Sequence, residues 1–342
     1  MTLPKGGYTL DAMKRTALSL LGLLLLAIPA AYAQDEFNQA KPDAPPAAAS
    51  RKHPGFFHRP AKSSPAEQLA YAQSLAQAGK ARAAMRQFND LVCQWHNAPE
   101  AVIAQESYAR LLLDARRYDK AFEEFQYLVD RFPGRFNYAA VMEQQFAIAN
   151  QLMTRPRRLL FFKVSNSGED ALPLFEQIIR NAPDWERTPE AQFFVGAIHE
   201  KNGDFDKAVS AYEQVQFRHP NSAFAAGAAY KRANCLCALA NEAPRDEVRL
   251  REALAALAAF LRDYRGDPNA GTAEKDLEAL NDRLAAMYYE RASFYDRIAR
   301  RPESAVIAYR DFYNRFPLSP QAAVAKERAE QLQEQLGEKH AP

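Results

Sequence analysis

His199 and Glu200 begin the spacing of a zinc-protease helix, in which two histidines four residues apart hold the metal and the glutamate acts as base. Position 203 is Gly203, so the second histidine is absent and no metal site follows. Paired carboxylates could divide the work of a general acid and a general base. Glu123 with Glu124, and Asp204 with Asp206, are instead accounted for by a solvated helix face and a turn. Cys235 and Cys237 stand two apart in an expected helix, where such positions point to different sides. Three cysteines are too few for a disulfide framework, so these read as small buried residues, with an intermolecular bridge or a metal site as alternatives. His96 and His219 fall at expected packing positions of helices. The sequence has no Gly-rich phosphate loop, and no serine lies in the small-residue setting of a hydrolase elbow. The sequence thus assigns no catalytic, cofactor-binding or metal-ligating residue.

The elements that would position any such groups have a clear period. Six alanines are followed at +4, +7 and +11 by mostly large apolar side chains. The sets are Ala84, Phe88, Leu91, Trp95; Ala121, Phe125, Leu128, Phe132; and Ala171, Phe175, Ile178, Ala182. Then come Ala208, Tyr212, Val215, His219; Ala253, Leu257, Phe260, Tyr264; and Ala305, Tyr309, Phe312, Phe316. These offsets share one helical face. A small residue lets a neighbouring helix approach, and Pro133, Pro183, Pro220 and Pro317 stop four of the sets. The expectation is an all-α, tetratricopeptide-like solenoid of helical hairpins with about six repeats, an architecture that builds binding surfaces.

With 13 glycines in 342 residues and 48% hydrophobic content, the composition favours helix. Lys14 and Arg15 precede the apolar run 17–28, and Ala31, Tyr32 and Ala33 offer small residues to a signal peptidase, so residues 1–33 read as a cleavable signal peptide. The run is shorter than the roughly 20 residues needed to span a bilayer. Translation could also begin at Met13. Cleavage after Ala33 removes Lys5, Asp11, Lys14 and Arg15, leaving 41 basic and 41 acidic residues from the original 44 and 42. A neutral chain with interspersed charges lacks the basic field of a nucleic-acid binder.

Residues 34–65 are rich in proline and alanine and read as a disordered linker carrying an aromatic spot at Phe56, Phe57 and His58. Repeats follow over 66–336, with a short tail at 337–342. Ala121 lies 37 residues after Ala84, close to the tetratricopeptide period of about 34, but Ala171 lies 50 after Ala121. The excess falls at 154–170, where Leu160, Phe161 and Phe162 form an apolar cluster ahead of the turn-like Ser165 to Gly168. Two roles are open for it: partner docking, or folding back on the solenoid. A long helix near 272–298 and a charged capping helix after Gln321 are expected at the end.

From about Pro65 to Leu336 the chain resembles the BamD family, the tetratricopeptide subunit of the machine that inserts β-barrel proteins into bacterial outer membranes. Three stretches carry the resemblance: Tyr71 to Trp95; Leu160 to Phe162 before Asp170; and the run Leu280, Asn281, Asp282, Arg283, Leu284, Ala285, then Glu290, Ala292, Phe294, Tyr295 and on to Pro317. The resemblance implies a non-enzymatic periplasmic scaffold at the outer membrane. Its N-terminal repeats would face unfolded outer-membrane proteins, and its C-terminal repeats would hold a BamA-like barrel-assembly subunit. Two departures stand out: no lipobox cysteine follows Ala33, so peripheral membrane association is expected, and an extra repeat lies around 188–267. A Tol-Pal coordinator or another periplasmic adaptor is the alternative function, although the proline-rich 41–65 stretch cannot form the coiled coil of the Tol-Pal type. A cell-wall lytic enzyme would need a catalytic domain for which the repeats leave no room.

Overall fold

The +11 residues explain where the helices end. In the computed structural model, which describes residues 52–53, 59–155, 157–159, 162–164 and 168–339, each of the six closes its helix. The N–H groups of Trp95, Phe132, Ala182, His219, Tyr264 and Phe316 each donate to the carbonyl of the +7 residue at 2.8 to 3.0 Å. A residue before proline is barred from the helical region by the proline ring. Trp95 and Tyr264, which no proline follows, adopt the same cap conformation.

The resulting helices are α1 (Pro65–Gln77), α2 (Ala81–Gln94), α3 (Pro99–Asp114), α4 (Tyr118–Arg131), α5 (Tyr138–Thr154), α6 (Leu172–Asn181) and α7 (Thr188–Asn202). They continue with α8 (Phe205–Arg218), α9 (Ala225–Glu242), α10 (Glu247–Asp263), α11 (Ala270–Ser293), α12 (Pro302–Arg315) and α13 (Ala322–Lys339). Odd-numbered members up to α11 are the first (A) helices of hairpins and the even-numbered ones are the second (B) helices. The all-α repeat architecture read from the sequence is the one observed. All six repeat alanines are fully buried, as are Phe88, Phe125, Phe175, Tyr212, Phe260, Tyr309 and Phe312 beside them.

Each A helix contributes its own small residue. Ala72, Ala109 and Gly196 precede Ala84, Ala121 and Ala208 by twelve positions, whereas Ala292 precedes Ala305 by thirteen. The additional residue is absorbed by a π-helical turn, Phe294–Ile298, that continues α11; single inserted residues in helices take this form. The junctions after B helices are uniform. From the caps Ala182, His219, Tyr264 and Phe316, two successive turns closed by i+3 backbone bonds lead to helix starts at Thr188, Ala225, Ala270 and Ala322.

The chain divides into two compact units, one of residues up to 108 with 126–136, the other of 109–125 with 137–342. In the first, α1 packs on α2. In the second, each helix from α5 to α12 packs on the next, and α7 also touches α9. The last helix, α13, buries Ala325, Ala329 and Leu332 and turns charged residues outward, as a solenoid cap requires.

The third repeat departs from expectation. Ala171 caps α6 instead of lying within it, because Pro173 lacks an N–H and belongs in a first turn. Within 154–170, expected as an irregular insertion, the backbone forms an antiparallel hairpin of β1 (Arg157–Leu159) and β2 (Phe162–Val164), pairing Arg157 with Val164 and Leu159 with Phe162. Leu160, Phe161 and Ser165 to Ser167 lie outside the described residues, as do residues 1–33, expected as a signal peptide, most of 34–65, expected as a linker, and within it Phe56, Phe57 and His58. Among the described residues, no helix is long and apolar enough to cross a membrane.

Candidate functional site

The fourth repeat shows what became of the metal-like motif. Gly196 on α7 lies against the ring of Tyr212 on α8, where an added Cβ would come within 2.7 Å of Cε1. The Tyr212 hydroxyl donates to Glu200 at 2.7 Å, and Lys231 of α9 donates to the other carboxylate oxygen at 2.9 Å. Glu200 therefore ties three helices together. Burial, and then the Glu200 charge, push the Tyr212 pKa upward. His199 points its Nδ1 at Asp204, 3.6 Å away, and Asp204 also pairs with Lys207 at 3.2 Å. Lys207 is the main reason that the Asp204 carboxyl is held below its ordinary range. Asp206 is solvated and lies 3.6 Å from Arg249, while Glu123 is exposed and Glu124 half-buried on α4.

Neither of the other singled-out histidines packs from inside a helix, as had been expected. His96 lies in the turn beyond α2, stacked 4.6 Å from the Phe132 ring, because Trp95 has already closed the helix. His219 is the cap of α8, half-exposed, and burial followed by Arg218 lowers its pKa. None of the three cysteines, all among the described residues, is in a disulfide. Burial pushes the Cys235 thiol up to about 12 and the Cys237 thiol to about 11, with Glu200 and Asp276 respectively adding to the shift. Both are protonated at neutral pH, which disarms them as nucleophiles and ligands.

Cys237 nevertheless faces a groove of about 430 Å³ between the A helices α9 and α11. Asn234 and Asn241 line one wall, two turns apart on one face of α9, with Tyr230 beside them; Asp276 and Leu280 of α11 form the other wall. Arg283 fixes the rim by donating to the Asn241 side chain at 3.0 Å and to the Ala240 carbonyl at 2.8 Å. A carboxamide carries both donors and an acceptor, the complement of a peptide unit. The arrangement suits reading an extended backbone. A second groove, of about 500 Å³, runs between α8, α9 and α10 past Val209, Arg232, Leu236 and Glu252.

Beside these, Glu247 at the start of α10 accepts from Tyr288 at 2.6 Å and from Arg291 at 2.7 Å, both on α11, and from Arg251 at 2.9 Å. Arg291 and Arg315 place their guanidinium groups 4.7 and 5.6 Å from the Tyr288 ring centroid. The Tyr288 hydrogen bond is the first cause holding the Glu247 carboxyl down at about 2. This cluster locks α10, α11 and α12. Sequence reasoning passed over it, and over the groove; the seven-residue spacing of Asn234 and Asn241 on an A helix was the one available signal.

Residues 201–342, which carry both grooves and this cluster, match the family described as YfiO, outer membrane lipoprotein; residues 69–136 and 164–223 match a tetratricopeptide-repeat family. Over residues 201–342 the chain is thus similar to that outer-membrane family, and its repeats are tetratricopeptide-like. No curated protein matches this chain. Among solved structures it is similar to YrrB, a tetratricopeptide protein with an unusual peptide-binding site, at 16% identity and a TM-score of 0.31, covering 62% of this chain and 92% of that one. It is also similar to a thermophilic tetratricopeptide protein of Thermus thermophilus, at 21% identity and TM-score 0.25, covering 66% and 98%. A third is a tetratricopeptide protein of Parabacteroides merdae, at 13% identity and TM-score 0.29, covering 79% and 98%. Tetratricopeptide repeats imply protein partners, and the family matched at 201–342 is one of outer membrane lipoproteins.

Proposed function

We propose that the protein is a non-enzymatic periplasmic scaffold for assembling and inserting β-barrel proteins into the outer membrane. The observation that carries this reading is the match of residues 201–342 to an outer-membrane family whose repeats here are intact, from the buried alanines to the capping helix. In this reading the C-terminal repeats hold a BamA-like subunit, the N-terminal repeats receive unfolded outer-membrane proteins, and a cleaved signal delivers the chain to the periplasmic face of the outer membrane. The grooves support it chemically: they offer amides, a protonated thiol and carboxylates suited to holding a polypeptide. Affinity purification from crosslinked cell envelopes tests it. Co-purification of a barrel-assembly subunit is expected, whereas recovery of Tol-Pal components without one would reject the reading in favour of a division coordinator.

A further inference from the structure

Two A helices of the first unit carry the same pair of side chains at the same spacing. Gln68 and Tyr71 on α1 recur as Gln105 and Tyr108 on α3, 37 residues later. Each pair holds a lysine from the segment that precedes the repeats. The backbone N–H of Lys62 donates to Gln68 Oε1 at 3.0 Å while its ammonium stands 5.4 Å from the Tyr71 ring centroid. The ammonium of Lys52 donates to Gln105 Oε1 at 3.2 Å, 5.0 Å from the Tyr108 centroid and 4.7 Å from that of Tyr127. The Lys52 N–H also donates to the Tyr127 hydroxyl at 3.1 Å.

The walls of the two lysine sites are built rather than incidental. Gln68 and Gln105 are fully buried and Tyr127 is 3% exposed. Gln68 is fixed from behind, its amide donating to Gln87 at 2.9 and 3.1 Å. Tyr127 is braced by His96, whose Nδ1 is 3.4 Å from the hydroxyl, and by the edge of Phe132. Two phenol faces and an amide oxygen converging on one ammonium form an aromatic cage, the arrangement that attracts alkylammonium groups.

We propose that this cage is a binding site for a lysine side chain on an extended polypeptide partner, and that Lys52 is its resident, displaceable occupant. Lys52 enters the cage by its ammonium and its backbone N–H. A partner chain presenting a lysine with its backbone N–H reproduces both contacts. The site does not depend on which envelope machine the protein serves, so it can fail while the proposed function stands.

The test uses the full chain and a fluorescein-labelled peptide of residues 48–58. Its binding to the wild type is compared by anisotropy with binding to Lys52→Ala, whose cage is vacant. Lys52→Ala should bind the peptide about tenfold more tightly than the wild type, and replacing the peptide's lysine by norleucine should cost about tenfold. Tyr108→Leu, placed in the Lys52→Ala chain, should abolish the gain. Should that variant not fold, the norleucine comparison decides alone. Equal binding by wild type and Lys52→Ala, indifference to norleucine, or no binding at millimolar peptide would each overturn the proposal.

Discussion

Replacing Gly196 by alanine should destabilise the protein, although alanine is the better helix former. The new methyl would lie 2.7 Å from Tyr212 Cε1 and 2.8 Å from Cδ1, where carbon atoms prefer about 3.5 to 4.0 Å. Tyr212 cannot withdraw freely, because its ring is fully buried and its hydroxyl is bonded to Glu200, which Lys231 also holds. Overpacking by one methyl costs about 1–3 kcal/mol. A shift of the ring would further weaken a hydrogen bond to a charged group, worth about 1.5–3 kcal/mol when intact. Against this stands a gain of about 1 kcal/mol in helix propensity. The net loss should be about 1–3 kcal/mol, read as a lower midpoint in urea unfolding followed by circular dichroism. The steric cause is isolated by repeating the substitution in a Tyr212→Leu background, where no ring opposes the methyl and alanine should be neutral or favourable. Equal losses in both backgrounds would refute the packing argument, and so would a more stable Gly196→Ala single variant.

Gly203, the cap of α7, has φ +82° with no atom within 4 Å of an added Cβ, so Gly203→Ala should cost about 1–2 kcal/mol from backbone strain alone; thermal melting compares it with Gly196→Ala. Glu247 titrates near 2 when folded against an ordinary 4.5. A depressed carboxyl contributes stability above its unfolded pKa and loses it as pH falls through the folded one, so the advantage of wild type over Glu247→Gln should shrink between pH 4.5 and 2 in melts across that range. Arg328 on α13 donates to both oxygens of Asp296, at 2.8 and 2.9 Å, and Asp296 is half-buried in the π-helical turn with only its side chain sheltered. Arg328→Ala should therefore strip hydrogen-exchange protection from residues 322–339 before the rest of the second unit. Cys235 and Cys237 should resist iodoacetamide at pH 8 in the folded chain and react rapidly in urea.

The repeats were legible because burial imposes a period, and a period survives in the order of residues. Ala208, Tyr212 and Val215 occupy the core that their spacing predicts, and the long helix expected near 272–298 is observed as α11 with its π-helical continuation. Third-repeat details were less legible because two local preferences compete there. Pro173 takes a first-turn position that moves Ala171 to the cap, and the strand pairing of 157–159 with 162–164 is too short to leave an alternating pattern. The polar sites were the least legible. Glu200 finds Lys231 thirty-one residues away, Glu247 finds Arg291 forty-four away, and Lys52 finds Tyr127 seventy-five away. Contacts of that range depend on which helices the stack brings together. A motif search around His199 looks only at neighbours along the chain.

The six-residue step from the caps Ala182, His219, Tyr264 and Phe316 to the following helix also governs how such a molecule can grow. After Ala182, His219, Tyr264 and Phe316 the step is closed by the same backbone bonds, and each cap residue is anchored to its own helix, so an insertion there would re-aim every later hairpin. Between the two helices of one hairpin there is no such constraint. The β1–β2 ribbon in the third repeat and the loop at 243–246 in the fifth both enter at that point, while the neighbouring helices keep their pairing. New surface can thus be spliced into individual hairpins while the indexing of the stack is preserved, so binding features can be acquired one at a time.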